Sequence, residues 1–142
     1  MLKRTLTALA MAAVGLPAII YGGVFYFLLM GAFLVGGAWE YVRLYRAVKH
    51  EPNELVTVGG VLVLVTARFF FADFAIPVFV ALIFLAMTVH LFAFERGRDQ
   101  SALDFGVTVA GIVYLGWIGA YLLDLRTLVN DQMGVWWLML VL

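Results

Sequence analysis

The 142-residue chain is 65% hydrophobic and 13% charged, against about 25% charged in an ordinary soluble domain, and its formal net charge is zero. That balance argues against nucleic acid as a partner, and the absence of cysteine rules out a disulfide scaffold and a thiolate metal site. His50 and His90 stand far apart, so a histidine-rich metal cluster has little support.

Residues 5–39 form an uncharged run of 35, whereas one membrane crossing needs only about 20 apolar residues at 1.5 Å each. The run therefore reads as two crossings with a tight turn at Tyr21-Gly22-Gly23. The first covers about 5–21, with a kink expected at Pro17. Lys3-Arg4 and the apolar stretch behind them superficially resemble a secretory signal. The small-residue triplet Ala8-Leu9-Ala10 lies inside the apolar run, and the chain stays hydrophobic beyond it, so a retained crossing is expected.

The second crossing runs from about 23 to 48. Pro52-Asn53 then supplies a stop and an N-cap for a third, about 54–71, which is interrupted by Arg68 and reaches the far interface if that arginine snorkels outward. Asp73 is expected to cap a fourth, about 73–94, with Pro77 in its first turn. Ser101-Ala102-Leu103-Asp104 has capping-box spacing and opens a fifth, about 101–125. Asp131 would cap a sixth, 132–142, too short to cross, so the chain is expected to be a fragment ending in mid-helix. The fold class expected is an all-α polytopic membrane bundle with about five full transmembrane helices and an incomplete sixth, with no soluble domain.

Placing the N-terminus in the cytoplasm puts Lys3, Arg4, Arg43, Arg46, Lys49, Arg96 and Arg98 inside and only Arg68 and Arg126 outside. This positive-inside bias supports the hairpin reading and a multi-pass protein of the cell membrane.

Candidate functional residues are few. Glu40 and Arg43, three apart on a helix, are expected to pair within an interfacial anchor flanked by Trp39, Tyr41 and Tyr45. The alternative is that Arg43, Arg46 and Lys49 gather anionic lipid headgroups. His90 reads as a satisfied or interface-facing histidine ahead of a proton relay, Arg68 and Asp73 as an anchored turn around Phe69-Phe70-Phe71, and Glu95-Arg96-Gly97-Arg98-Asp99 as a solvated connection, with phosphate contact by its arginines as the alternative. There is no phosphate loop, no paired acidic residues at metal spacing and no zinc signature, so no catalytic, cofactor-binding or metal residue is assigned. Gly106-x-x-x-Ala110 and Gly116-x-x-x-Ala120 offer weak small-residue packing spacings.

Three segments in order resemble the phosphatidate cytidylyltransferases, the enzymes that make CDP-diacylglycerol. These are Lys3-Arg4-Thr5-Leu6-Thr7-Ala8-Leu9, then Trp39-Glu40-Tyr41-x-Arg43-Leu44, then Tyr114-Leu115-Gly116 with Ala120-Tyr121-Leu122 and Leu125-Arg126. The resemblance implies transfer of a cytidylyl group from CTP to phosphatidate with release of pyrophosphate, a divalent metal such as magnesium, and membrane lipids, phosphatidate and CTP as partners. It leaves a homodimer open. The family's catalytic segment of Ser, Asp, Lys and Arg, followed by His-Gly-Gly and an Asp-Arg pair, has no counterpart here. The resemblance therefore implies the N-terminal membrane portion of such an enzyme, inactive on its own. A non-catalytic membrane scaffold and a small transporter subunit are the alternatives.

Overall fold

The computed structural model describes residues 15, 17–127 and 136, and of residues 126 and 127 the backbone alone. Lys3, Arg4, the start of the first crossing, the Arg126 side chain, Asp131 and the sixth segment lie outside the described residues.

The described residues form helices and turns, with no strand among them. A short helical stretch at 17–21 ends at Gly22 and Gly23, whose φ angles of +64° and +57° are left-handed. Glycine alone adopts that region without steric cost, which is why the chain breaks here. The helices that follow are α1 (Gly23–Ala47), α2 (Glu54–Phe70), α3 (Ala75–Glu95), preceded by a 3₁₀ turn (Ala72–Phe74), and α4 (Ser101–Gly111). α4 continues through a π-helical stretch (Ile112–Ile118) into α5 (Gly119–Thr127).

Three helical runs are long and apolar enough to cross a membrane, namely Gly23–Ala47, Ala72–Glu95 and Ser101–Leu125. α2 has 17 residues, short of the roughly 20 a full crossing requires. It is instead the helix most enclosed by others, burying Val56, Thr57, Gly60, Val61, Leu64, Val65 and Ala67.

The chain divides into two compact units, one of residues 1–30 with 122–142 and one of residues 31–121. In the first, Tyr26 is buried and its hydroxyl donates to the Leu122 carbonyl at 3.0 Å. In the second, Val56, Leu64, Leu82, Ala86 and Ile112 make the core, with Phe79, Phe105 and Trp117 packed around it.

Helix directions in the second unit follow from who meets whom. The backbone of Gly111 faces Tyr41 and Thr57, that of Gly116 faces Leu64 and Val61, and that of Gly119 faces Leu34. α2 and the α4–α5 run are therefore parallel, and α1 is antiparallel to both. α3 is antiparallel to α4, since Phe79 stacks on Trp117 (ring centroids 4.8 Å apart) while His90 meets Thr108. The C-terminal ends of α1 and α3 and the N-terminal ends of α2 and α4 thus converge on one end of the bundle. Of the weak glycine spacings, Gly116 and Ala120 are buried, whereas Gly106 faces open space and Ala110 is exposed.

Several local expectations are corrected. Asp73 makes no side-chain cap; it lies in the 3₁₀ turn, and α3 starts after it at Ala75. Arg68 does not snorkel outward, because its guanidinium lies over the rings of Tyr121 (4.0 Å) and Trp117 (5.4 Å), a cation–π arrangement that holds it against the bundle. Glu40 and Arg43 do not pair; Arg43 lies over its own helix neighbour Trp39 at 4.6 Å. The capping box at Ser101–Asp104 is not formed, since both side chains are drawn into tertiary contacts.

Candidate functional site

The converging helix ends enclose a polar cluster built on one helix face. Ser101, Asp104 and Thr108 recur at i, i+3 and i+7, so they line a single stripe of α4, and all three are buried. Each is spoken for. Ser101 Oγ donates to the His90 carbonyl. Thr108 Oγ1 accepts from the Asn53 backbone N–H at 3.1 Å and lies 3.3 Å from His90 Nε2. Asp104, 1% exposed, accepts from the Glu51 N–H at 2.9 Å through Oδ1 and from Arg98 Nε at 2.6 Å through Oδ2.

These contacts fasten the linker between α1 and α2. The end of α1 is a left-handed cap in which Lys49 takes φ +70° and the His50 N–H reaches back to the Tyr45 carbonyl at 3.1 Å. Position 49 is where glycine is usual, and a lysine there carries a strain of about 1 kcal/mol. Its carbonyl accepts from Arg98 Nη2 at 3.3 Å, and Pro52 is fully buried behind it. Asn53 then caps α2 as its sequence position implies, accepting from the Val56 N–H at 2.9 Å, and Thr57 Oγ1 donates to the Asn53 carbonyl at 2.8 Å.

Charge in the cluster is closely matched. Arg98 also pairs with Glu51 at 3.0 Å, and Arg46 with Glu54 at 2.5 Å. The hydrogen bond that the Arg98 guanidinium donates to Asp104 raises its pKa above the ordinary value. His50 Nδ1 is buried without a hydrogen-bond partner, 3.5 Å from Asp104 Oδ1. His90 Nδ1 lies 2.9 Å from the Ala86 carbonyl, so both its ring nitrogens have neighbours on the helices.

Beside the cluster opens a cleft of about 880 Å³, whose lining includes three bases, Arg46, Lys49 and Arg98, and three acids, Glu51, Glu54 and Asp104, with the apolar Leu55 and Val89. It adjoins a second of about 700 Å³ between α3 and the α3–α4 loop, lined by Val89, Phe92, Ala93, Arg96 and Gly97. Asn53, Val89, Ala93 and Arg98 border both.

Of the three basic residues assigned from sequence to headgroup binding, Arg46 and Lys49 line the cleft and Arg43 does not. Asp104 and Thr108 escaped sequence reading as site residues, and Arg98 entered it only as a loop arginine able to meet phosphate. The one visible signal for the other two was the polar 101–104–108 stripe inside an otherwise apolar helix. No group of three His, Cys, Asp or Glu side chains capable of holding a metal occurs among the described residues.

The sequence model of the cytidylyltransferase family matches residues 2–142. No curated protein and no solved structure matches the chain.

Proposed function

We propose, from the premise that this chain belongs to the cytidylyltransferase family, that it is the membrane part of a phosphatidate cytidylyltransferase of the cell membrane. The observation that carries the reading is the family match along residues 2–142, which coincides with three helices fit to cross a bilayer. An activated nucleotide is water-soluble and a diacyl phosphate is not, so an enzyme joining them must work at the membrane surface. In the reaction, a phosphate oxygen of phosphatidate attacks the α-phosphorus of CTP. The bond to the β-phosphate breaks, and pyrophosphate leaves with the electron pair.

The residues of this chain hold the frame and a charge-balanced polar cleft; none is assigned to the chemical step. The donor set here does not fit the divalent metal that the family implies. Asp104 spends its two oxygens on Arg98 and the Glu51 N–H, Glu51 is paired with Arg98, and Glu54 with Arg46. No step is therefore routed through a metal held by these residues. The orientation in keeping with this function has the cleft end in the cytoplasm, where CTP is found, and the N-terminus on the same side.

The test is a radiolabelled-CTP assay in detergent with magnesium and phosphatidate. Residues 1–142 alone should form no labelled CDP-diacylglycerol, and a protein that also carries the family's acidic and basic catalytic segment should form it. Label transferred by the longer protein to another acceptor and not to phosphatidate would refute the substrate assignment. Transfer by residues 1–142 alone would place catalytic groups within this chain.

A further inference from the structure

We infer that the turn joining α2 and α3 seats its phenylalanines among the acyl chains of the leaflet opposite the cleft end, and that the membrane surface there is drawn inward by a few ångström to meet it. The partner is bulk lipid, and short chains fit the turn best. The inference needs only that the chain crosses a membrane and does not rest on the proposed function.

Three observations carry it. The first is length. At 1.5 Å per residue the 17 residues of α2 reach about 26 Å, against about 30 Å for the hydrocarbon core of an ordinary bilayer. The cleft end does not absorb the shortfall. Arg46, Glu51, Glu54 and Arg98 hold that end at the water boundary, and the bonds that the linker donates to Asp104 and Thr108 keep α2 from sliding outward. Tilting would only shorten its reach. The deficit therefore falls at the Phe70 end, where the bilayer answers by thinning.

The second observation is the surface that this end presents. Phe71 and Phe74 are 62% and 63% exposed, with Phe70 and Ile76 exposed beside them. Arg68 is turned away onto Trp117 and Tyr121, so Asp73 is the one charged residue from Phe69 to Ile76. Water is a poor solvent for such a turn, acyl chains are a good one, and a thinned surface still lets the Asp73 carboxylate reach water. The third observation is the backbone. Phe71 alone interrupts the helices here, and its N–H donates to the Ala67 carbonyl at 2.7 Å. The Phe74 N–H donates to the Phe71 carbonyl at 2.8 Å, and the Ala75 N–H to the Ala72 carbonyl. A turn that closes these bonds within itself tolerates a position where water is scarce.

The chain has no cysteine, so single-cysteine variants need no background removed. Ala72→Cys, in the turn, and Tyr21→Cys, an exposed position beside the Gly22-Gly23 break, are placed in vesicles of dimyristoleoyl, dioleoyl or dierucoyl phosphatidylcholine, which differ only in chain length. Their modification by a charged, membrane-impermeant maleimide admitted to both faces is followed in time. Ala72→Cys should react about tenfold more slowly in the longest lipid than in the shortest, whereas Tyr21→Cys should change little. Nitroxides on Phe71→Cys and Phe74→Cys in dioleoyl vesicles should collide with oxygen, which gathers among acyl chains, far more than with a water-soluble nickel chelate. Phe71→Gln with Phe74→Gln removes the surface that the acyl chains hold, and should abolish the chain-length dependence at Ala72→Cys.

Nickel contact at positions 71 and 74 equal to that of a nitroxide on Asp99→Cys, in the α3–α4 loop, would place the turn in water and overturn the inference. An Ala72→Cys rate that ignores chain length, or falls no further than the Tyr21→Cys rate, would also overturn it, since the membrane would then not bend at this turn. Full chain-length dependence in the double glutamine variant would overturn the role given to the phenylalanines. All of these readouts are free of nucleotide and of phosphatidate, so the failure of the proposed function would leave them unchanged.

Discussion

Replacing Gly111 by alanine tests the close approach on which the cluster depends. A Cβ at this position would lie 2.8 Å from Tyr41 Cε1 and 2.9 Å from Thr57 Cγ2, both well inside ordinary contact distance. Neither neighbour is free to yield. The Tyr41 hydroxyl donates to the Val107 carbonyl at 2.9 Å, and Thr57, fully buried, donates to the Asn53 carbonyl at 2.8 Å. Overpacking of this kind costs about 1–3 kcal/mol. Gly106, five residues earlier on the same helix, faces nothing within 4 Å, so alanine there meets open space and gains about 1 kcal/mol of helix propensity. Propensity cancels in the comparison of the two variants, and the remaining difference is the steric term. At roughly 2–4 °C per kcal/mol for a chain of this size, Gly111→Ala should melt about 2–12 °C below Gly106→Ala. The assay is thermal unfolding in detergent followed by tryptophan fluorescence. Equal midpoints for the two variants would mean that α1, α2 and α4 do not approach as closely as described.

Further outcomes are expected around the cluster and its frame. Asp104→Ala should destabilise the protein more than Asp104→Asn, because asparagine keeps an acceptor for the Glu51 N–H; the difference is on the order of 1 kcal/mol by the same melting assay. Lys49→Gly should relieve the left-handed strain and leave the midpoint level or slightly higher despite the loss of a side chain. Arg98, with its pKa raised, keeps its charge up to its ordinary pKa and beyond, so the stability from its pair with Asp104 is present at all lower pH values where the carboxylate is ionised. A stability loss on moving from neutral to mildly alkaline pH that vanishes in Asp104→Asn would contradict this. Single cysteines at positions 23, 49, 73 and 99 should label with 49 and 99 on one side of the membrane and 23 and 73 on the other; labelling of 23 and 49 from the same side would contradict a crossing by α1.

Local signals were legible where the local contact won. Asn53 caps α2 with its own side chain, and the Gly22-Gly23 break needs nothing but glycine's freedom in φ. The same reasoning failed at Ser101 and Asp104, whose spacing is that of a capping box. There, buried partners compete with the helix terminus: the His90 carbonyl for the serine, and the Glu51 N–H and Arg98 for the aspartate. Those partners come from segments whose proximity depends on how three helices pack, which a one-dimensional pattern does not encode. Arg68 is a similar case. From sequence it is a charge interrupting an apolar run, and only the arrival of Trp117 and Tyr121 from a helix some 50 residues later gives it a place inside the structure.

The seven π-helical residues between α4 and α5 let two glycines five positions apart serve the same neighbour. With ordinary α-helical pitch, five residues amount to a turn and two-fifths, leaving Gly116 about 140° around the axis from Gly111. The wider i→i+5 turn brings Gly116 back toward α2, so that Gly111 abuts Thr57 and Gly116 abuts Leu64. The chain here carries one residue more than a regular helix would use, and that surplus works as a vernier between the two halves of the run. Excising a single residue from the stretch would leave these two glycines four positions apart, about 40° around the axis at regular pitch, so both would still face α2. Forcing the full complement of residues into regular pitch would instead swing the turn that follows by about 100°, and Tyr121 would leave the Arg68 guanidinium while Asp104 and Thr108 kept their hold on the linker.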